Sequence, residues 1–176
     1  MSGVFQLTDD CLELRGHLVH HHALLEPGRI VLIDSGFLLN TPKRTDRLLR
    51  EVGRSLDEVS DIILSHGHID HVLHAAALKR KTGAKIWAPR LDRDRLAGVH
   101  RNESISKLGG LLEGFARALF RYEPPEIDNW FEAGDTLPLY GGLEVIPLPG
   151  HTSGHCGLYQ RDREMLFAAD LFASLY

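Results

Sequence analysis

Apolar positions along this chain fall into two spacings. Branched and aromatic residues come first in short extended runs, Val4-Phe5-Gln6-Leu7 and then a longer stretch over residues 12–25. Glu26-Pro27-Gly28-Arg29 is turn chemistry. Ile30-Val31-Leu32-Ile33 follows as an unbroken apolar run, the pattern of a strand covered on both faces. The spacing then becomes helical. Thr41-Pro42 supplies a capping hydroxyl and a proline at the first helical position, Leu48, Leu49 and Val52 an apolar side, and Gly53 a stop. Ile62-Ile63-Leu64 predicts a second buried strand, residues 75–81 a helix stopped by Gly83, and Lys85-Ile86-Trp87-Ala88 a third strand.

Alternating strand and helix marks an α/β layered fold. From residue 135 to 170 strand follows strand, over 143–148, 157–160 and 165–168, with residues 161–164 as a polar hairpin tip. Between the two regions Ile105, Leu108, Leu112, Phe115 and Leu119 recur at helical spacing. Core packing is the plainer expectation for that stripe, and a lid over a pocket at the strand ends is the functional one. Gly109-Gly110 within it marks a candidate kink.

Composition narrows the function. With 176 residues, 43% hydrophobic and 25% charged, the chain is expected to form one domain over residues 1–176, with a helical insertion at about 90–125. A net charge of −4 argues against a broad nucleic-acid-binding face and for a small-molecule substrate. Cys11 and Cys156 form neither a CxxC pair nor a disulfide framework. The N-terminus lacks a basic, apolar leader, and no run approaches a membrane span of ~20 residues, so a cytoplasmic compartment is expected.

Histidine is the unusual count, at eleven. His66-x-His68-x-Asp70-His71 stands where a strand gives way to a helix, and imidazole with carboxylate is the ligand set of zinc and related cations. Random placement predicts about 0.003 such windows in a chain of this composition. Four ligands so close in sequence suit two adjacent ions better than one tetrahedral ion. His151 follows the strand ending at Leu148, and Asp170 ends the next hairpin. An acid there is costly if buried unpaired and useful if it bridges two cations. His20 and His22 share one face of a strand, expected to be solvated. His74 reads as helix surface, His155 at most as pocket lining, and Cys156 as a small buried residue. Ser35 and Ser65 lack the turn context of a nucleophile.

Together, His66-x-His68-x-Asp70-His71, His151 in Gly-His-Thr, Asp170 in Ala-Asp-Leu-Phe and Asp34 in Ile-Asp-Ser-Gly resemble the successive motifs of the metallo-β-lactamase-fold hydrolases, over about residues 30–172. The resemblance implies an αββα sandwich with a two-metal site at the edge of its sheets. It implies that His66, His68 and His151 hold the first metal, that Asp70 and His71 hold the second, and that Asp170 bridges. Asp34 would support the histidine turn without being a ligand. Zinc is the expected metal, with iron or manganese as alternatives.

The implied activity is that of a hydroxyacylglutathione hydrolase-like enzyme. A metal-activated hydroxide would cleave a small ester, thioester or lactone, with Asp70 orienting the nucleophile and accepting its proton. The family carries a further histidine downstream and small residues after the Asp-His pair. This chain ends at Tyr176 and has Leu73-His74, so a C-terminally shortened form is expected, with pairing into a homo-oligomer left open. The alternatives are a phosphodiesterase or nuclease of the same fold, and a single-metal or non-catalytic domain.

Overall fold

The computed structural model describes residues 3–16, 19–38, 41–99 and 107–172, with the backbone alone over 107–112. Two sheets pack face to face. The first has seven strands in sequence order, β1 (Val4–Thr8), β2 (Cys11–Arg15), β3 (His20–Glu26), β4 (Arg29–Ile33), β5 (Val59–Ile63), β6 (Lys85–Pro89) and β7 (Asn129–Phe131). β1 to β4 pair antiparallel through hairpins, whereas β4 to β7 pair parallel and therefore need helical crossovers. The second sheet is an antiparallel meander of β8 (Thr136–Leu137), β9 (Leu143–Pro147), β10 (Cys156–Gln160) and β11 (Met165–Phe167).

The unbroken apolar run of β4 has its explanation in two separate cores. Ile30 and Leu32 point to one side, where they meet Leu48 and Leu49 of α1 (Pro42–Arg50) and Leu78 of α3 (Ala75–Thr82). Val31 and Ile33 point to the other, where they meet Leu143, Val145, Leu158 and Phe167 of the second sheet. The helix signals hold at their ends. The Thr41 side chain accepts from the Arg44 amide, and Gly83 takes the left-handed conformation at φ 73° that ends α3. Val52 departs from expectation. It lies beyond α1 and is 38% exposed, because the chain turns out through Gly53 before it can pack.

The stretch over residues 12–25 is two strands, β2 and β3, paired from Arg15 with His20 to Cys11 with Leu24. His20 is exposed, but His21 is buried beneath Thr45 of α1, and the His22 ring packs edge-on at 5.2 Å from Phe167. The triplet is therefore mostly interior and not a solvated strand surface. Between β6 and β7 lie α4 (Arg93–Leu96) and α5 (Lys107–Leu119), and Gly109-Gly110 sits inside one continuous helix.

The apolar stripe of α5 does not pack as core where its side chains are described. Phe115 is 66% and Leu119 60% exposed, while Arg117 is buried. Ile105, and the side chains of Leu108 and Leu112, lie outside the described residues. No helix among the described residues is long and apolar enough to cross a membrane.

Candidate metal centre

At the ends of β4, β5, β9 and β11 the strands give way to four turns that carry the histidines and acids. β4 is followed directly by Asp34, whose backbone is left-handed at φ 63°, a conformation Asp tolerates better than most residues. Its amide still bonds the Ile63 carbonyl at 2.8 Å, so the twist occurs at the strand's last ladder position. The buried carboxylate then faces the next turn. Asp34 Oδ1 accepts from the Ser65 amide, and Oδ2 accepts from the Ser65 hydroxyl and from His71 Nδ1, each at 2.8 Å.

Those bonds fix the ring nitrogens. The Ser65 hydroxyl donates to Asp34, so it receives the proton of His66 Nδ1 at 3.0 Å. His66 Nε2 is thereby left with a lone pair, is fully buried and has no hydrogen-bond partner. His71 Nε2 is likewise buried and without a hydrogen-bond partner, 3.0 Å from Asp170 Oδ1 but off the direction of a hydrogen bond. Two buried ring nitrogens without partners, aimed at carboxylates and other imidazoles, are what a cation-binding cradle offers.

The remaining residues converge on the same volume. His68 Nδ1 and His151 Nε2 face each other at 2.7 Å, and Asp170 Oδ2 lies 3.0 Å from His151 Nε2 and 3.8 Å from His66 Nε2. Asp70, in α2 (Ile69–Val72), places Oδ2 4.0 Å from His71 Nε2. Two groups result, each with its ligand atoms within 4.8 Å of one another: His66, His68, His151 and Asp170, and Asp70, His71 and Asp170. Asp170 is common to both.

The charge states differ between the groups. Burial, helped by the neighbouring imidazoles, pushes His66 well below its ordinary value and His68 down to about 4. Burial would also lower His71, but the carboxylates of Asp34 and Asp170 on its two sides overturn that and hold it well above. For Asp170, burial works upward and is overcome by the His151 and His71 imidazoles beside it, including the charge on His71, which hold it well below the usual carboxylate range. Burial pushes Asp70 upward.

Several neighbours carried no signal for this site in the sequence. His155 does more than line a pocket: Nδ1 donates to the Leu148 carbonyl at 2.8 Å, and Nε2 accepts the Asp170 amide at 3.2 Å, so it holds the shared acid in place. Glu113 of α5 reaches to 3.6 Å from His68 Nε2, and Arg117 donates to both Glu113 and the Gly67 carbonyl. That demand explains why α5 turns its polar residues inward and Phe115 outward. His74 stays outside the cluster and bonds the Leu38 carbonyl at 3.1 Å. Cys156 is buried against the Ser65 carbonyl, and its thiol is pushed up by burial. The Ser35 hydroxyl bonds the His71 carbonyl, so neither it nor Ser65 is free to attack a substrate.

Histidines and acids gathered at one edge of two packed sheets make this an α/β protein with a candidate metal centre. The chain belongs to the metallo-beta-lactamase superfamily, whose family model matches residues 17–175. Hydroxyacylglutathione hydrolase GloC of Haemophilus influenzae is 29% identical over 133 residues, covering 72% of this chain and 56% of its own length. Hydroxyacylglutathione hydrolase of Rhizobium meliloti is 33% identical over 118 residues, 66% of this chain and 35% of its own. Among solved structures, the FEZ-1 metallo-beta-lactamase of Legionella gormanii superposes with a TM-score of 0.71 at 20% identity, over 88% of this chain and 56% of that one. The MIM-1 metallo-beta-lactamase of Novosphingobium pentaromativorans gives 0.74 at 24% identity, over 88% and 54%. The structural likenesses establish the fold, and this chain spans little more than half the length of these relatives at most.

Proposed function

We propose that this protein is a metal-dependent hydrolase that cleaves small ester, thioester or lactone substrates by direct attack of water, with no covalent intermediate on the chain. One observation carries this reading: the Asp170 carboxylate stands between two separate ligand groups, 3.0 Å from His151 on one side and 3.0 Å from His71 on the other. His66, His68 and His151 would hold one zinc ion, Asp70 and His71 a second, and Asp170 would be shared. When bound, zinc supplies Lewis acidity and lowers the pKa of water from 15.7 to about 7.

The chain's own residues do the rest. Asp70, with a side chain 35% exposed and a carboxyl pushed up by burial, orients the attacking water and accepts its proton. Asp34 fixes the ring of His71 directly and that of His66 through Ser65. The net negative charge, together with relatives named hydroxyacylglutathione hydrolase, supports an uncharged carbonyl centre over a phosphodiester.

The test is elemental analysis of protein purified without chelator, followed by a panel of chromogenic thioesters, lactones and bis-p-nitrophenyl phosphate. Two zinc ions per chain, with turnover of thioesters or lactones that His66→Ala abolishes, is the expected result. Turnover of the phosphodiester alone would make the chain a phosphodiesterase. One ion per chain without hydrolysis would make it a single-metal domain.

A further inference from the structure

The three histidines of the larger ligand group come from two turns more than eighty residues apart in sequence. Their rings meet only if the two turns that carry them are held together. Two links join the turns. One comes from Cys156, whose amide and thiol both reach the Ser65 carbonyl, at 3.3 and 3.2 Å. The other is a side chain belonging to neither turn.

Asp92 ends the short helical turn after β6 and is 3% exposed. Its Oδ2 accepts from the Gly67 amide at 2.7 Å, between His66 and His68, and from the Thr152 hydroxyl at 2.7 Å, next to His151. Its Oδ1 accepts from the Gly154 amide at 2.8 Å. A Cβ at Gly154 would stand 2.8 Å from Asp92 Cγ, so glycine is what lets this turn close on the carboxylate. One carboxylate therefore takes three donors from two turns, all buried, where a donor left unmet is costly.

We infer that Asp92 is a positioning residue whose carboxylate clamps the His66–His68 turn and the His151 turn at the separation a shared cation requires. Metal sites need their ligands held to within about 0.5 Å, and the clamp supplies that without contacting the ion. The inference rests on the proposed metal centre for its purpose but not for its geometry.

Asp92→Asn in the full chain tests it. The amide offers one oxygen and one NH2, so in either orientation an N–H of Gly67 or Gly154 faces another donor. In chelator-treated protein the amide of Gly67 or Gly154 is expected to exchange about tenfold faster or more, with Ile62 and Ile63 unchanged. Zinc affinity, read by competition with a chromogenic chelator, is expected to fall about 10–100-fold, and the cobalt(II) absorption spectrum to change. If Asp92→Asn does not fold, Thr152→Val and Thr152→Ser carry the test. The valine removes one link and should weaken zinc binding several-fold, and the serine should restore it. Unchanged exchange and unchanged zinc affinity in Asp92→Asn, or equal affinity in the two Thr152 variants, would overturn the clamp. A wild-type chain that takes up no zinc while its Gly67 or Gly154 amide responds as expected would overturn the proposed function and leave the clamp standing.

Discussion

The two ligand groups lie side by side and share one acid, yet they are held in opposite ways. In the group of His66, His68 and His151, burial suppresses the protonated forms of His66 and His68, so scaffold hydrogen bonds hold those rings in place. The group of Asp70 and His71 is a line of charge, with His71 flanked by Asp34 at 2.8 Å and Asp170 at 3.0 Å. An imidazolium between two carboxylates is self-assembling, whereas a cluster of neutral rings is not. The first group should therefore be sensitive to anything that loosens the turns, and the second to anything that changes charge.

Replacing the residue common to both groups should have the largest effect. Asp170→Asn keeps the volume and the amide bond to His155 but removes the charge that faces both His151 and His71. Metal content should fall from the proposed two ions per chain to below one, and hydrolysis by more than about 100-fold. His71→Gln should lose one ion and keep the other. If elemental analysis finds both ions retained in Asp170→Asn, the two groups do not share that acid.

Much of this centre was legible in the sequence because its ligands are dense and follow strand ends. His66, His68, Asp70 and His71 lie within six residues, and His151 and Asp170 each close an apolar run. What escaped was made by partners distant in the chain. His155 acquires its role from the amide of Asp170, fifteen residues on, and β7 pairs with β6 across forty residues, with no local pattern to mark it. The orientation of α5 escaped for a different reason. Periodicity counts apolar side chains, whereas here a buried carbonyl at Gly67 and the neighbourhood of His68 recruited Arg117 and Glu113 and turned Phe115 and Leu119 out. The break between β2 and β3 had only Gly16 to announce it.

Asp34→Asn probes the support that both groups draw on. Asn tolerates the left-handed backbone at φ 63°, so the substitution changes chemistry and not conformation. Asp34 touches His71 directly but reaches His66 only through Ser65. Zinc affinity should therefore fall about 10–100-fold at the Asp70–His71 group and by less at the three-histidine group. Stepwise zinc titration with isothermal calorimetry resolves the two. Equal losses at both would mean that Asp34 acts on the turn as a whole and not ring by ring.

The smallest effect separates the two groups by the sign of a pH slope in chelator-treated protein. His68 has its pKa lowered from 6.5 to about 4 on folding, so the unfolded chain takes up its proton first and stability is lost as pH falls below 6.5. Between pH 7.5 and 5 that loss is about 2 kcal/mol, and His68→Gln should be spared it. His71 is raised instead, so its contribution is fully present below pH 6.5 and is lost as pH rises through its folded value. Removing His71 should thus cost more stability at pH 5 than at pH 7.5, and removing His68 should cost less. Thermal or urea melts of the two variants at both pH values give the slopes. Parallel slopes would mean that the neutral and the charged group are not electrostatically distinct, and the contrast between scaffold-held and charge-held ligands would fail.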